Sequence, residues 1–122
     1  MVVQKDWKEL LKVISPEFSH KDQRRTLTQL FTTPVAQVNE YEMAKGSILG
    51  NHYHKETYET FYITKGAVIV EIDDSKFVAS RGTIFTVEPN ENHIIESLSD
   101  GARMMTFLSQ PYTKDNPDTW KK

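Results

Sequence analysis

Gly46-Ser-Ile-Leu-Gly50-Asn-His52-Tyr-His54-Lys-Glu-Thr-Tyr-Glu59-Thr-Phe-Tyr-Ile-Thr-Lys-Gly66 is the stretch whose reading decides the fold. Its centre, Asn51-His52-Tyr53-His54, reads as the end of a strand. On a strand, residues two apart share a face, so His52 and His54 project together and Tyr53 points away. Glu59 opens the next strand beyond a short turn and shares its face with Phe61 and Ile63. A hairpin that folds Glu59 back brings two imidazoles and a carboxylate to one place. His93, at the start of a later strand, offers a fourth donor. Three neutral imidazoles and one carboxylate suit one divalent transition ion: Mn, Fe, Ni, Zn, Co or Cu. On an octahedral ion such a set leaves positions open for substrate or water. The competing reading is a metal-free pocket in which His52, His54 and Glu59 act as acid–base groups.

The pattern continues on both sides. Thr26–Thr32, Val35–Met43, Ile48–His54, Tyr58–Thr64, Gly66–Asp73, Lys76–Ser80, Thr83–Val87, His93–Leu98 and Arg103–Ser109 are short β-type segments separated by turn signals. Asp73-Asp74-Ser75 is a hairpin tip. Many short strands at this spacing predict a sandwich or barrel. Before them, Asp6 with Glu9 has a capping-box spacing, and Trp7, Leu10, Leu11 and Ile14 recur at helical spacing. A short N-terminal helix is therefore expected, broken by Pro16 and the polar run Ser19–Asp22. The expected organisation is residues 1–25 as helix and linker, 26–110 as barrel, and 111–122 as a polar C-terminal tail, clamped by Trp120.

Composition narrows the function classes. A chain of 122 residues supports one core. It has no cysteine, which excludes disulfides, thiolate zinc sites and thiol nucleophiles. Fifteen basic against seventeen acidic residues give a net charge of −2, which argues against nucleic acid or an anionic membrane as a generic partner. The opening MVVQKDWKELLKVI is charged by residue 5 and has no long apolar run, so no signal peptide or membrane span is expected and the expected location is the cytoplasm.

At the histidine stretch the chain resembles the cupin superfamily. The first cupin motif is satisfied at Gly46, His52, His54, Glu59 and Gly66. Gly82 and His93 keep the span of the second motif, with Pro89 one place late, Asn90 in place of a glycine and Ser97 in place of an asparagine. The resemblance covers about Leu27 to Leu108. It implies an all-β fold, the cupin double-stranded β-helix or jelly-roll barrel, with a mononuclear metal site at His52, His54, Glu59 and His93. It also implies pairing, and a homodimer is expected because sheet edges and apolar outer faces need cover.

A small-molecule ligand is expected inside the barrel. Gln37, Asn39 and Tyr41 share one face of Val35–Met43, and a polar inner face suits a barrel that holds a ligand. The other reading of that segment is an edge strand with a wet face. Arg103 on the last strand is either a pocket cation for an anionic group or a solvated rim residue. Asp22-Gln-Arg24-Arg25-Thr-Leu27, then Gln37-Val-Asn39, then Gly50-Asn51-His52 resemble the opening of sugar-nucleotide epimerase and ketoisomerase cupins, although Arg25 and Leu49 replace a glycine and an arginine of that pattern. This second resemblance implies that Arg24 holds a phosphate, that Gln37 and Asn39 face the pocket, and that His52 or His54 is the base. The functional expectation is an isomerase or epimerase of a sugar, sugar phosphate or sugar nucleotide. An iron-dependent dioxygenase and a non-catalytic small-molecule-binding module are the alternatives.

Overall fold

The computed structural model describes residues 18–32 and 34–122. The expected N-terminal helix lies outside the described residues. Among these the chain forms ten strands. β1 (Phe18–Lys21) and β2 (Thr26–Gln29) make a separate hairpin. The other eight form two four-stranded antiparallel sheets. One is ordered β3 (Gln37–Met43), β10 (Ala102–Leu108), β5 (Glu59–Lys65), β8 (Ile84–Val87). The other is ordered β4 (Ile48–His52), β9 (His93–Ser97), β6 (Ala67–Ile72), β7 (Ser75–Ser80). Consecutive strands alternate between the sheets until the β6–β7 hairpin, and this gives the jelly roll expected of the cupin motif.

Alternation along each strand builds the core. On β6, Val68, Val70 and Ile72 are buried; on β7, Phe77 and Ala79 are. From the opposite sheet come Phe61 and Ile63 of β5, Phe85 and Val87 of β8, and Met104 of β10. Phe85 is the hub. It stacks on Phe61 at 4.8 Å and meets Phe77 edge-on at 5.4 Å, both favourable ring geometries. The aromatic block fills the space between the sheets and leaves the end near β4 and the start of β5 open.

The hairpin β1–β2 corrects the linker reading of Ser19–Asp22. Those residues pair with the next segment in register, Ser19 with Thr28 and His20 with Leu27. The turn is held by the Asp22 carboxylate, which accepts the backbone N–H of Arg24 (2.8 Å) and Arg25 (3.0 Å). This is local Asx-type turn chemistry rather than hydrophobic pattern.

Candidate metal and ligand site

Four strands or strand ends deliver the site. On β4, Gly50 (φ +91°) and Asn51 (φ +61°) form an irregularity that shifts the β4–β9 register, so that His52 comes to lie opposite His93. Such a bulge re-aims a side chain at a sheet edge. His54 follows the end of β4, Glu59 is the first residue of β5, and His93 is the first of β9. His54 and the second-motif loop are stitched together by the N–H of Asn90 on the carbonyl of His54 at 2.6 Å. Asn90 has φ +70°, the left-handed conformation that Asn tolerates where the family pattern has glycine.

The three rings lie 4.6–5.1 Å apart between centroids. Their ligating nitrogens all fall within 4.8 Å of one another. Glu59 Oε1 is 3.2 Å from His54 Nε2 and 3.5 Å from His93 Nε2. Glu59, His54 and His93 are buried and His52 is partly exposed. Bonds of about 2.1 Å to one ion separate adjacent donors by about 3 Å and opposite ones by about 4.2 Å, so a slight contraction of the three-histidine set fits a divalent cation.

Hydrogen bonding fixes how the rings are used. His54 Nδ1 lies 2.8 Å from the Asp118 backbone carbonyl, and His93 Nδ1 lies 3.3 Å from that of Glu91. A carbonyl only accepts, so each Nδ1 carries the proton. Each Nε2 then faces Glu59 Oε1 across the site. Burial opposes ionisation of Glu59, but the facing rings of His54 and His93 outweigh it and hold its pKa well below the usual range. With an ionised Glu59, His54 Nε2 needs either a second proton or a shared cation. Burial likewise disfavours the charged form of His54, yet the bonds to Glu59 and to Asp118 leave its pKa raised. His52 goes the other way: burial, then the neighbouring His93 and His54, push it down to about 4. At neutral pH its imidazole is therefore uncharged and offers a lone pair.

The histidines and Glu59 sit in the wall of a cavity of about 590 Å³. Gln37, Asn39 and Tyr41 line it as their shared face predicted, with an apolar side from Leu49, Phe61, Ile95, Met104 and Leu108. The Gln37 amide is already engaged: Nε2 donates to Asn39 Oδ1 at 3.1 Å, and Oε1 accepts the Tyr112 N–H at 2.8 Å. Burial and the charge of Glu59 raise the Tyr41 pKa, so its hydroxyl keeps its proton at neutral pH.

Arg103 is not in this wall, which corrects its expected place among the substrate contacts. On β10 the inward residues are Met104, Thr106 and Leu108, and Arg103 has the opposite parity. Its guanidinium lies 2.9 Å from Glu42 on the outer surface. Arg24 stands at the exposed β1–β2 turn, 3.5 Å from Asp22, and is not among the cavity residues either. Three residues of the C-terminal segment, not anticipated at the site, do take part. Tyr112 and Thr119 line the cavity, and Asp118 holds His54. The expected Trp120 clamp is present as a reciprocal backbone pair with Tyr53, each bond 2.9 Å.

Gly50 has its own constraint. A Cβ there would stand 2.6 Å from the His93 carbonyl oxygen, in a backbone conformation that L-residues rarely adopt. Gly50→Ala is therefore expected to cost at least about 2 kcal/mol through strain and overpacking, and to displace His93. A thermal melt and a metal titration on the same variant check both effects; an unchanged melt would refute the account.

Two β-sheets closed over a histidine-and-carboxylate cavity define a small jelly-roll barrel with that cavity at one open end. The cupin domain family model matches residues 39–109, and the chain belongs to that family. No curated protein matches the chain. Solved structures do. The TDP-quinovose 3,4-ketoisomerase WlaRB of Campylobacter jejuni superposes with a TM-score of 0.77 at 16% identity, covering 91% of this chain and 92% of that one. A 3,4-ketoisomerase of Helicobacter canadensis gives a TM-score of 0.75 at 16% identity, covering 91% and 90%. The capsular polysaccharide assembling protein CapF of Staphylococcus aureus gives 0.67 at 21% identity, covering 88% of this chain, which spans only 33% of CapF. At these identities the likeness shows the fold.

Proposed function

We propose that the chain is a metal-dependent isomerase or epimerase that moves a proton next to a carbonyl of a sugar or sugar nucleotide. The observation that carries this reading is the convergence of His54 Nε2, His93 Nε2 and Glu59 Oε1, each ring with its other nitrogen tied to a backbone carbonyl. Metal-ligating histidines almost always donate their second N–H in this way. His52 completes the set of four. A bound divalent ion supplies Lewis acidity toward a substrate carbonyl. The chain's own residues do the rest. Tyr41, protonated at neutral pH, is a hydrogen-bond donor for oxygen charge that develops during enolisation. The Asn39 amide and the Thr119 hydroxyl offer polar contacts for substrate hydroxyls, while Leu49, Phe61, Ile95 and Met104 exclude water from the inner part of the cavity. Structural likeness to enzymes described as sugar-nucleotide 3,4-ketoisomerases supports the choice of substrate class.

Solvent deuterium exchange tests it. Incubated in D2O with a TDP-linked ketosugar and with free ketoses, the metal-loaded protein is expected to introduce deuterium beside the carbonyl of at least one of them, and the chelated protein is not. Proton NMR reads this directly. Metal bound with no exchange on any member of the panel would sink the isomerase reading. Oxygen uptake on the same panel would replace it with the dioxygenase, and saturable binding without exchange or oxygen uptake with a binding module.

A further inference from the structure

The polar C-terminal segment is built into the site. From Ser109 onward the chain crosses the open end of the barrel and is fastened at both ends of its path. At one end the Tyr112 N–H donates to Gln37 Oε1. At the other, Trp120 pairs with Tyr53 and the Lys55 ammonium lies 3.7 Å from the centre of the Trp120 ring. Asp118 stands between them, buried, with φ +45°. Its Oδ1 accepts the Lys55 N–H at 2.9 Å and Trp120 Nε1–H at 3.2 Å. Its Oδ2 accepts the N–H groups of Glu56 and Thr57, each at 2.9 Å, and the Thr57 hydroxyl at 2.8 Å. The carboxylate thus gathers the turn between His54 and Glu59 onto the segment. The same residue's carbonyl meets His54 Nδ1.

We infer that Asp118 is a positioning residue: its carboxylate clamp on residues 55–57 sets its own carbonyl against His54 Nδ1 and thereby fixes the ring's orientation and its Nδ1–H tautomer, with Nε2 presented to the site. Among the described residues no other group is bonded to His54 Nδ1, since Glu59 faces the opposite nitrogen. Neutral imidazole free of such a partner populates both tautomers, and only the Nδ1–H form leaves the Nε2 lone pair for an ion held together with Glu59 and His93. Thr57 supplies a graded control, because losing its hydroxyl removes one of five donors to the clamp and leaves the carbonyl in place. The inference rests on His54 being a working group of the site, as proposed above, but it concerns the ring in the metal-free protein as well.

The test uses the whole chain, 15N-labelled. Long-range 1H–15N spectra of the metal-free wild type are expected to show His54 as Nδ1-protonated. In Asp118→Ala, the His54 ring nitrogens are expected to shift toward averaged tautomers while His93, tied to Glu91, stays unchanged. Zinc or cobalt affinity is expected to fall about 10–100-fold, the usual loss when the partner that orients a ligand is removed. Thr57→Val should fall about 2- to 5-fold at most. A wild-type His54 whose Nδ1 bears no proton overturns the inference without any variant, and so covers the case in which Asp118→Ala does not fold. It is also overturned if Asp118→Ala folds, frees the Trp120 signals, and leaves the His54 tautomer unchanged. A wild type that binds no metal but shows the tautomer and its loss in Asp118→Ala upholds the inference and removes the metal reading alone.

Discussion

Purified without chelator, the wild-type chain is expected to carry close to one divalent transition ion, and the His52→Ala/His54→Ala variant almost none. Loss of an orienting partner alone weakens metal sites about 10–100-fold. Loss of two direct donors out of four should exceed that, so the variant's affinity should drop well over about 100-fold. The fold should survive, because both side chains face the cavity and not the aromatic block. Elemental analysis of the two proteins side by side gives the answer, and the element identified ranks the isomerase reading against the iron-dependent one. Absence of metal from both, after reloading, would leave the histidines as acid–base groups. In that case His54 carries the second proton that its geometry toward Glu59 otherwise assigns to a cation.

Phe85→Ala should destabilise the fold more than any substitution at the site. Phe85 is fully buried and touches an aromatic ring from each sheet, Phe61 of β5 and Phe77 of β7. Truncating a buried Phe to Ala typically costs about 3–5 kcal/mol, part of it the cavity left behind. Against a total stability of about 5–15 kcal/mol, that is a large share. The melting temperature should fall by roughly 10–20 °C for a domain of this size. Ile48→Ala, at a position 60% exposed, is the comparison and should stay within about 0.5 kcal/mol. The effect should reach the site too. Phe61 loses the ring it stacks on, and Phe61 itself lies 6.1 Å from His93. A Phe85→Ala melt within a few degrees of wild type would mean that the two sheets are not held together where the ring contacts indicate.

Much of this was legible in the sequence, for physical reasons. Strand periodicity is local, so all nine β segments have counterparts, and the shared face of Gln37, Asn39 and Tyr41 follows from parity alone. The spacing of His52, His54, Glu59 and His93 carried the cluster because His54 and Glu59 flank one turn, but that turn passes the chain from one sheet to the other instead of closing the expected hairpin, and the pairing of β4 with β9 brings in His93. Arg103 was harder. Both faces of β10 contain apolar residues, Met104 and Leu108 on one and Met105 and Phe107 on the other, so alternation did not say which was inside. β1 escaped because a polar hairpin held by an Asx turn carries no hydrophobic alternation. Asp118 escaped for a deeper reason. It lies 59 residues beyond Glu59 in a segment whose composition reads as solvated tail. Its work is done through its own backbone carbonyl and, for three of the five donors to its carboxylate, through backbone N–H groups, neither of which leaves a mark in residue type. Trp120 was the one visible hint that the segment is tied down.

The site straddles the seam of the barrel. Glu59 belongs to the sheet of β3, β10, β5 and β8, whereas His52 and His93 belong to the other. Whatever these side chains hold in common therefore bridges the two halves of the sandwich at the open end, where the aromatic block stops at Phe61. A ligand shared by them acts as a rivet: prying the sheets apart at the mouth requires breaking its bonds, and occupancy and resistance to opening become one quantity seen from two sides. Anything that binds there only in the closed barrel stabilises it by mass action. The proposed site is thus also a fastening between the two sheets.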